Sequence, residues 1–254
     1  MSGNEMRAGG GAGPAGGDGP VPLNNVDHAD LRVVLERGAA YGDDVNQCRV
    51  FATEFEELQR EYAILFRDDG EGGYRAFVPL GFAGGENLFL DGDRWDAHHI
   101  PALMQRGPFS IGVPAPGEAG EPMIHIDTTH PRVSRDWGAP VFLDHGGNAP
   151  LLDRVVDVLQ RIYGGTGIEP ALTAAFAAHD LFEPVDISVE LDDGRRFTIP
   201  DCVTVGQERL RALDADALAA LHRDDFLRPA IWVASSLANV MRLVDRKVRR
   251  DGSA

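Results

Sequence analysis

The chain has 254 residues, and 24 Lys and Arg stand against 40 Asp and Glu, for a formal net charge of −16. So acidic a composition argues against a dedicated nucleic-acid binder, which needs cations to displace the counterions of phosphates, and against docking on an anionic membrane. Hydrophobic residues at 43% and charged residues at 25% suit a globular protein, not a disordered one.

Residues 1–20 are Gly-rich with Pro14 and Pro20, a tail with almost nothing to pack. They lack the apolar core of a secretory signal. No run reaches the roughly 18–20 apolar residues of a membrane span. The expectation is a cytoplasmic protein without membrane insertion, folded as a single domain over 21–249. Cys48 and Cys202 lie far apart and read as reduced thiols. The cations are 23 arginines and one lysine, Lys247, so nearly every one can grip a carboxylate in two places.

In chain order, Thr53 and Glu56 fit a capping box opening a short helix to about Arg60. Tyr62–Phe66 and Tyr74–Gly81 read as antiparallel strands across the turn residues 68–73. Asn87–Leu90, Phe109–Val113 and Met123–Ile126 are further strand candidates, around a short helix near 98–105. From Asn148 the apolar positions Leu151, Leu152, Val155, Leu159 and Ile162 follow helical spacing, with Gly164-Gly165 expected to end the helix. A second helix is expected over 168–178. Val185, Ile187, Val189 and Leu191 alternate with polar residues, Asp193-Gly194 supplies a two-residue turn, and Arg196–Ile199 returns as a hairpin. Thr204 and Gln207 suggest another capping box, Asp214 caps the next helix, and a long helix over 225–249 carries Leu227, Ile231, Leu237, Met241, Val244 and Val248 on one stripe. The five cations between Arg242 and Arg250 suit the negative end of that helix. The fold class is α+β: an N-terminal, mainly antiparallel β region with short helices, then a helix-rich C-terminal part containing one β-hairpin.

A search for chemistry finds little. There is no G-x-S-x-G elbow and no phosphate loop; the glycines of 81–85 lack the dinucleotide order, and Asp91–Asp96 lacks calcium-loop spacing. On a strand, His125 and Asp127 share a face and, with His179, form a candidate facial triad of the non-haem iron type. That makes an iron- and 2-oxoglutarate-dependent or other metal enzyme the alternative reading. Because H-x-D is common by chance, polar loop and cap roles are the simpler account, and no cofactor is expected.

Three stretches carry a family resemblance: Thr53–Phe66 (TEFEELQREYAILF), Leu80–Phe109 with Trp95, Ile100-Pro101-Ala102 and Arg106-Gly107-Pro108-Phe109, and the segment from Asp193 through Ala234-Ser235-Ser236-Leu237-Ala238-Asn239. In order and spacing they resemble the SapC-like family of bacterial proteins, over about Val21–Lys247. The resemblance implies a link to surface-layer protein secretion and a gene neighbourhood that includes tryptophan halogenase-like proteins, and it brings no catalytic residues. His99 stands where an aromatic is usual, Gln105 and Gly107 flank Arg106 where Arg and Tyr are usual, and His125 stands where a small residue or Cys is common. That last departure counts against a family-wide iron site.

The functional expectation is an accessory or binding protein for a protein or peptide partner. Trp95, Arg106 and Phe109 are its candidate contact residues, with core packing the competing role for Trp95 and Phe109.

Overall fold

The structure, a computed structural model, describes residues 19–114, 120–190 and 194–252. The Gly-rich stretch up to residue 18, and Asp193 of the expected hairpin turn, lie outside them. The strands run β1 (Val21–Pro22), β2 (Arg32–Val33), β3 (Gln47–Arg49), β4 (Leu65–Asp68), β5 (Tyr74–Pro79), β6 (Leu90–Asp91), β7 (Arg94–Trp95), β8 (Phe109–Gly112), β9 (Met123–Ile126), β10 (Val133–Ser134), β11 (Ala139–Pro140), β12 (Phe182–Glu190) and β13 (Arg196–Val205). The helices are α1 (Phe55–Leu58), α2 (Ala102–Gln105), α3 (Pro150–Ala178), α4 (Gln207–Arg211), α5 (Ala215–Arg223), α6 (Leu227–Ser236) and α7 (Asn239–Gly252).

The α+β class is observed, with antiparallel pairing throughout the described ladders. The largest sheet has the order β12-β13-β4-β5-β3. The late hairpin β12–β13 therefore completes the sheet begun by the early strands, with Val203 opposite Phe66. Its strands bury Phe66, Val78, Ile187, Ile199 and Val205 in the main core, which α6 also enters through Ala230, Val233 and Ala234. A second core gathers Leu31, Val33, Phe109, Ile126 and Val141.

Residues 150–178 form one helix, not two. α3 runs 29 residues through Gly164-Gly165 and Pro170, roughly 43 Å at 1.5 Å per residue. Its first half places Leu151, Leu152, Val155 and Leu159 in the second core, and its last turns place Leu172 and Phe176 in the main one. The glycines do not end it because Gly165 is a crossing point. A Cβ there would lie 2.4 Å from Phe51 Cβ and 2.8 Å from Thr53 Oγ1. Thr53 donates its hydroxyl to the Arg161 carbonyl (2.9 Å), so it binds the helix instead of capping its own turn. Glu54, not Glu56, reaches back to a backbone amide, that of Phe51 (3.3 Å).

The long C-terminal helix is interrupted. α6 ends at Ser236 and α7 begins at Asn239, because these two side chains grip the turn before β4. Ser236 Oγ accepts from Ile64 N (2.9 Å), and Asn239 Nδ2 donates to the carbonyls of Gln59 (2.8 Å) and Tyr62 (3.0 Å). The same bonds delay β4 to Leu65, since they take backbone groups of 62–64 that a strand partner would use. The break also rotates the buried face, so Met241 and Val248 of the expected stripe are exposed while Leu243 and Lys247 turn inward. The second expected capping box is replaced too: Thr204 belongs to β13 and Gly206 precedes α4. Asp214 does cap α5, accepting from Ala217 N (2.8 Å).

The cations of α7 do more than offset the helix dipole. Arg246 pairs with Asp96 (2.5 Å), Arg250 donates to Asn87 O (2.8 Å) and Arg242 to Arg60 O (2.8 Å). Lys247 is buried between Glu86 (2.7 Å) and Asp251 (3.2 Å) and stands 5.0 Å over the Phe197 ring. Burial by itself lowers its pKa, but the two carboxyl partners more than offset that and raise it.

The two helix glycines give a paired test. Nothing lies within 4 Å of a Cβ placed on Gly164, so Gly164→Ala should stabilise by about 0.5–1 kcal/mol. Gly165→Ala should destabilise by about 1–3 kcal/mol through overpacking against Phe51. Urea unfolding followed by circular dichroism measures both; equal gains would mean that α3 does not press on Phe51.

Candidate functional site

The site is built on a fully buried carboxyl group. Glu54 accepts at Oε2 from Ala102 N (2.8 Å), the first amide of α2, and lies 3.1 Å from His99 Nε2. With Pro101 as N-cap, α2 has no side-chain cap of its own, so this distant carboxyl takes that part. The segment before α2 is held from the other side. Tyr62 donates its hydroxyl to His99 O (2.6 Å) and accepts from Trp95 Nε1 (2.8 Å). Burial pushes the Tyr62 phenol pKa upward, so the hydroxyl keeps its proton. Its ring stacks on Phe89 at 4.5 Å. Trp95 thereby fixes the β6–β7 hairpin, whose residues Asp93 and Arg94 project from the surface.

Between this hairpin, α2 and the first turns of α3 lies a cleft of about 420 Å³. Its floor is Leu35, Ile100, Leu151, Val155 and Val158, and its polar lining is Arg37, Asp93, Arg94, Gln105 and Arg154. Leu35, Arg37, Gln105, Leu151 and Val155 also line a smaller cavity of about 40 Å³ that continues to Arg106, Phe109 and Arg132. Leu35 is 54% exposed, a large apolar side chain left open at the seam.

The lining is electropositive. Arg132 is buried, bonding to Asp43 Oδ2 (2.5 Å) and Val34 O (3.1 Å) and lying 4.7 Å over the Tyr41 ring. Arg37 donates to Met104 O (2.7 Å) and lies 3.6 Å from Asp43. Arg106 donates to Phe109 O (2.8 Å) and has no carboxyl within ion-pair distance among the described residues. Burial lowers the pKa of both Arg37 and Arg106. His130 behind them is also lowered, first by burial and then by Arg132. Arg94 and Arg154 have no side-chain partner among the described residues. Five guanidinium groups therefore face two carboxyl groups, Asp43 and Asp93, in a chain of net charge −16.

The three residues expected to contact a partner all line this region, at its two ends. Trp95 is nearly buried and borders the larger cleft, Arg106 borders the smaller cavity, and Phe109 has no exposed surface and packs in the second core. Arg94, Arg154 and Leu35 were missed. The available signal was Arg154 amid Leu151, Val155 and Val158 on one helix face, an arginine with apolar neighbours one turn away on both sides.

The metal triad is not supported. Asp127 accepts from Thr129 N (2.9 Å) and Thr129 Oγ1 (2.7 Å), and these bonds, the hydroxyl's foremost, hold its pKa low. The His125 ring fills the space above Gly112, where a Cβ would lie 2.4 Å from Nε2. His179 is the C-terminal cap residue of α3. No group of three His, Cys, Asp or Glu among the described residues is placed to hold a metal ion.

Fold and site together define an α+β protein with an arginine-lined, apolar-floored cleft. The chain belongs to the SapC family, whose model matches residues 23–243. That span contains every residue of the cleft. No curated protein and no solved structure matches the chain.

The thiol environments are testable. Cys48 lies in β3 near Glu54, and burial, with a smaller contribution from that carboxyl, pushes its pKa up to about 12. Burial also raises that of Cys202, whose Sγ sits 3.2 Å from Ile199 O. Since the thiolate is the reactive form, native protein at pH 8 should leave both thiols unmodified by Ellman's reagent over the minutes in which urea-unfolded protein releases two equivalents. Rapid labelling of either in the native state would contradict this burial.

Proposed function

We propose that this SapC-family chain is a cytoplasmic accessory protein, not an enzyme, that holds a protein or peptide partner in the cleft between the β6–β7 hairpin and α3. The family resemblance would connect such a protein with secretion or the surface layer, and that part of the proposal rests on the resemblance alone. The observation that carries the reading is the composition of the cleft: an apolar floor with exposed Leu35, flanked by guanidinium groups. Interfaces favour arginine and aromatic anchors around an apolar centre, and Trp95 and Arg106 sit at the borders of such a centre. Asp93 is the one acid–base group of the larger lining, and it has no partnered nucleophile or histidine beside it there. Proton-transfer chemistry normally assembles such groups within hydrogen-bond reach.

Leu35→Asp tests the reading, because it places a charge on the cleft seam at an exposed position that contributes little to folding. Tagged wild-type protein should recover a protein partner from the native host, and Leu35→Asp should lose it while keeping its thermal midpoint within about 2–4 °C, the shift that roughly 1 kcal/mol produces in a chain of this size. A partner retained at full yield by the variant, or turnover of a small molecule by the purified protein alone, would overturn it.

A further inference from the structure

We infer that the occupant of the cleft is an acidic peptide segment, in which carboxylates bracket apolar side chains; this rests on the peptide-binding reading above and adds the partner's chemistry. Arg154 on α3 and Arg94 on the hairpin border the same apolar floor and have no side-chain partner among the described residues. Further in, Arg106 is half-buried with no carboxyl in reach among those residues. Many other arginines of the fold are committed to carboxyl or carbonyl groups, as Arg49 is to Glu169, Arg135 to Asp30 and Arg246 to Asp96. Guanidinium groups left open beside an apolar surface match carboxylates, which they hold by paired hydrogen bonds.

The chain's overall charge sharpens the match. At −16, the rest of the surface repels an acidic segment, and the cleft is where the local sign reverses. Such a contrast steers association to one place and disfavours docking elsewhere. A basic peptide would meet the opposite field, attracted broadly and repelled at the cleft. A polyanion such as a nucleic acid lacks the apolar side chains that the floor would cover. Asp93 is the one carboxyl group in the larger lining, and it favours placing the partner's acids toward Arg94 and Arg154.

Panning a displayed library of random twelve-residue peptides against the full chain tests this, with Leu35→Asp, Arg154→Glu and Arg223→Glu as comparison proteins. Arg223 is exposed at the end of α5, so its variant repeats the same change of net charge away from the cleft. The expected selection is enriched in Asp and Glu interleaved with Leu, Ile or Phe. Its peptides should bind about tenfold or more weakly to Arg154→Glu, equivalent to ~1.4 kcal/mol, and within about threefold of wild type to Arg223→Glu. Their binding should also weaken with added salt. Selected peptides without net negative charge that still lose binding to Leu35→Asp would overturn the acidic occupant and leave the peptide cleft standing. Acidic peptides equally weakened by both arginine variants would overturn it too, since the attraction would be to overall charge. If no peptide shows dependence on Leu35, the peptide-cleft reading falls and this inference falls with it.

Discussion

The architecture of the cleft depends on the Glu54 carboxyl group. A carboxyl removed wholly from water is costly unless its oxygens are bonded, and here Phe51 N, Ala102 N and the His99 ring meet them. Those partners lie in two segments far apart in sequence, so the burial cost of one side chain ties the 51–54 turn to the start of α2. α2 has four residues, too few to be stable alone. Its position, and with it the positions of Gln105 and Arg106 on the cleft wall, comes from that tie and from Tyr62 holding the His99 carbonyl.

Two longer elements make the tie effective. α3 spans both cores and touches the 51–53 turn at Gly165, so the wall carrying Leu151, Arg154 and Val155 is fixed relative to Glu54's neighbourhood. α7 draws the 86–96 segment inward from the other side through Arg246, Lys247 and Arg250. The hairpin bearing Arg94 and Trp95 is thus caught between Tyr62 within the core and the cations of α7 outside it. Cleft walls from four separate parts of the chain are held by buried polar contacts as much as by apolar packing, and such contacts specify geometry because their alternatives leave groups unbonded.

Local rules in the sequence reached the elements that local rules govern. The late hairpin, the cap at Asp214, the β8 and β9 strands and the early half of α3 follow from alternation, capping chemistry and helical spacing. The family, too, was legible from ordered motifs. What failed were places where a distant partner overrides local preference. Gly164-Gly165 reads as a stop until Phe51 is seen filling the space a Cβ would need. The stripe through Leu237 and Met241 reads as continuous until Ser236 and Asn239 are seen bonding the turn at 59–64. The cleft was legible only at its borders, through Trp95, Arg106 and Phe109. Its open guanidinium groups were less so: Arg154 is marked locally only by its apolar helix neighbours Leu151, Val155 and Val158, and nothing local distinguishes Arg94 from the many arginines that find carboxyl partners.

The net charge of −16 and the arginine-lined cleft are best understood together. In a neutral protein, two open arginines beside an apolar floor would be one basic spot among several. Here the background is acidic, and several other guanidinium groups have carboxyl partners within the fold: Arg132 and Arg37 share Asp43, Arg49 pairs with Glu169 and Arg246 with Asp96. Exposed long-range charge is screened within roughly 8–10 Å at physiological salt, so an approaching segment senses the local sign at close range. On the proposed acidic-peptide reading, the acidic surface would disfavour such a segment elsewhere, and the sign reversal at the cleft would admit it there. On that proposal, charge that by itself describes only solubility would become, beside Leu35, Arg94 and Arg154, a means of discrimination.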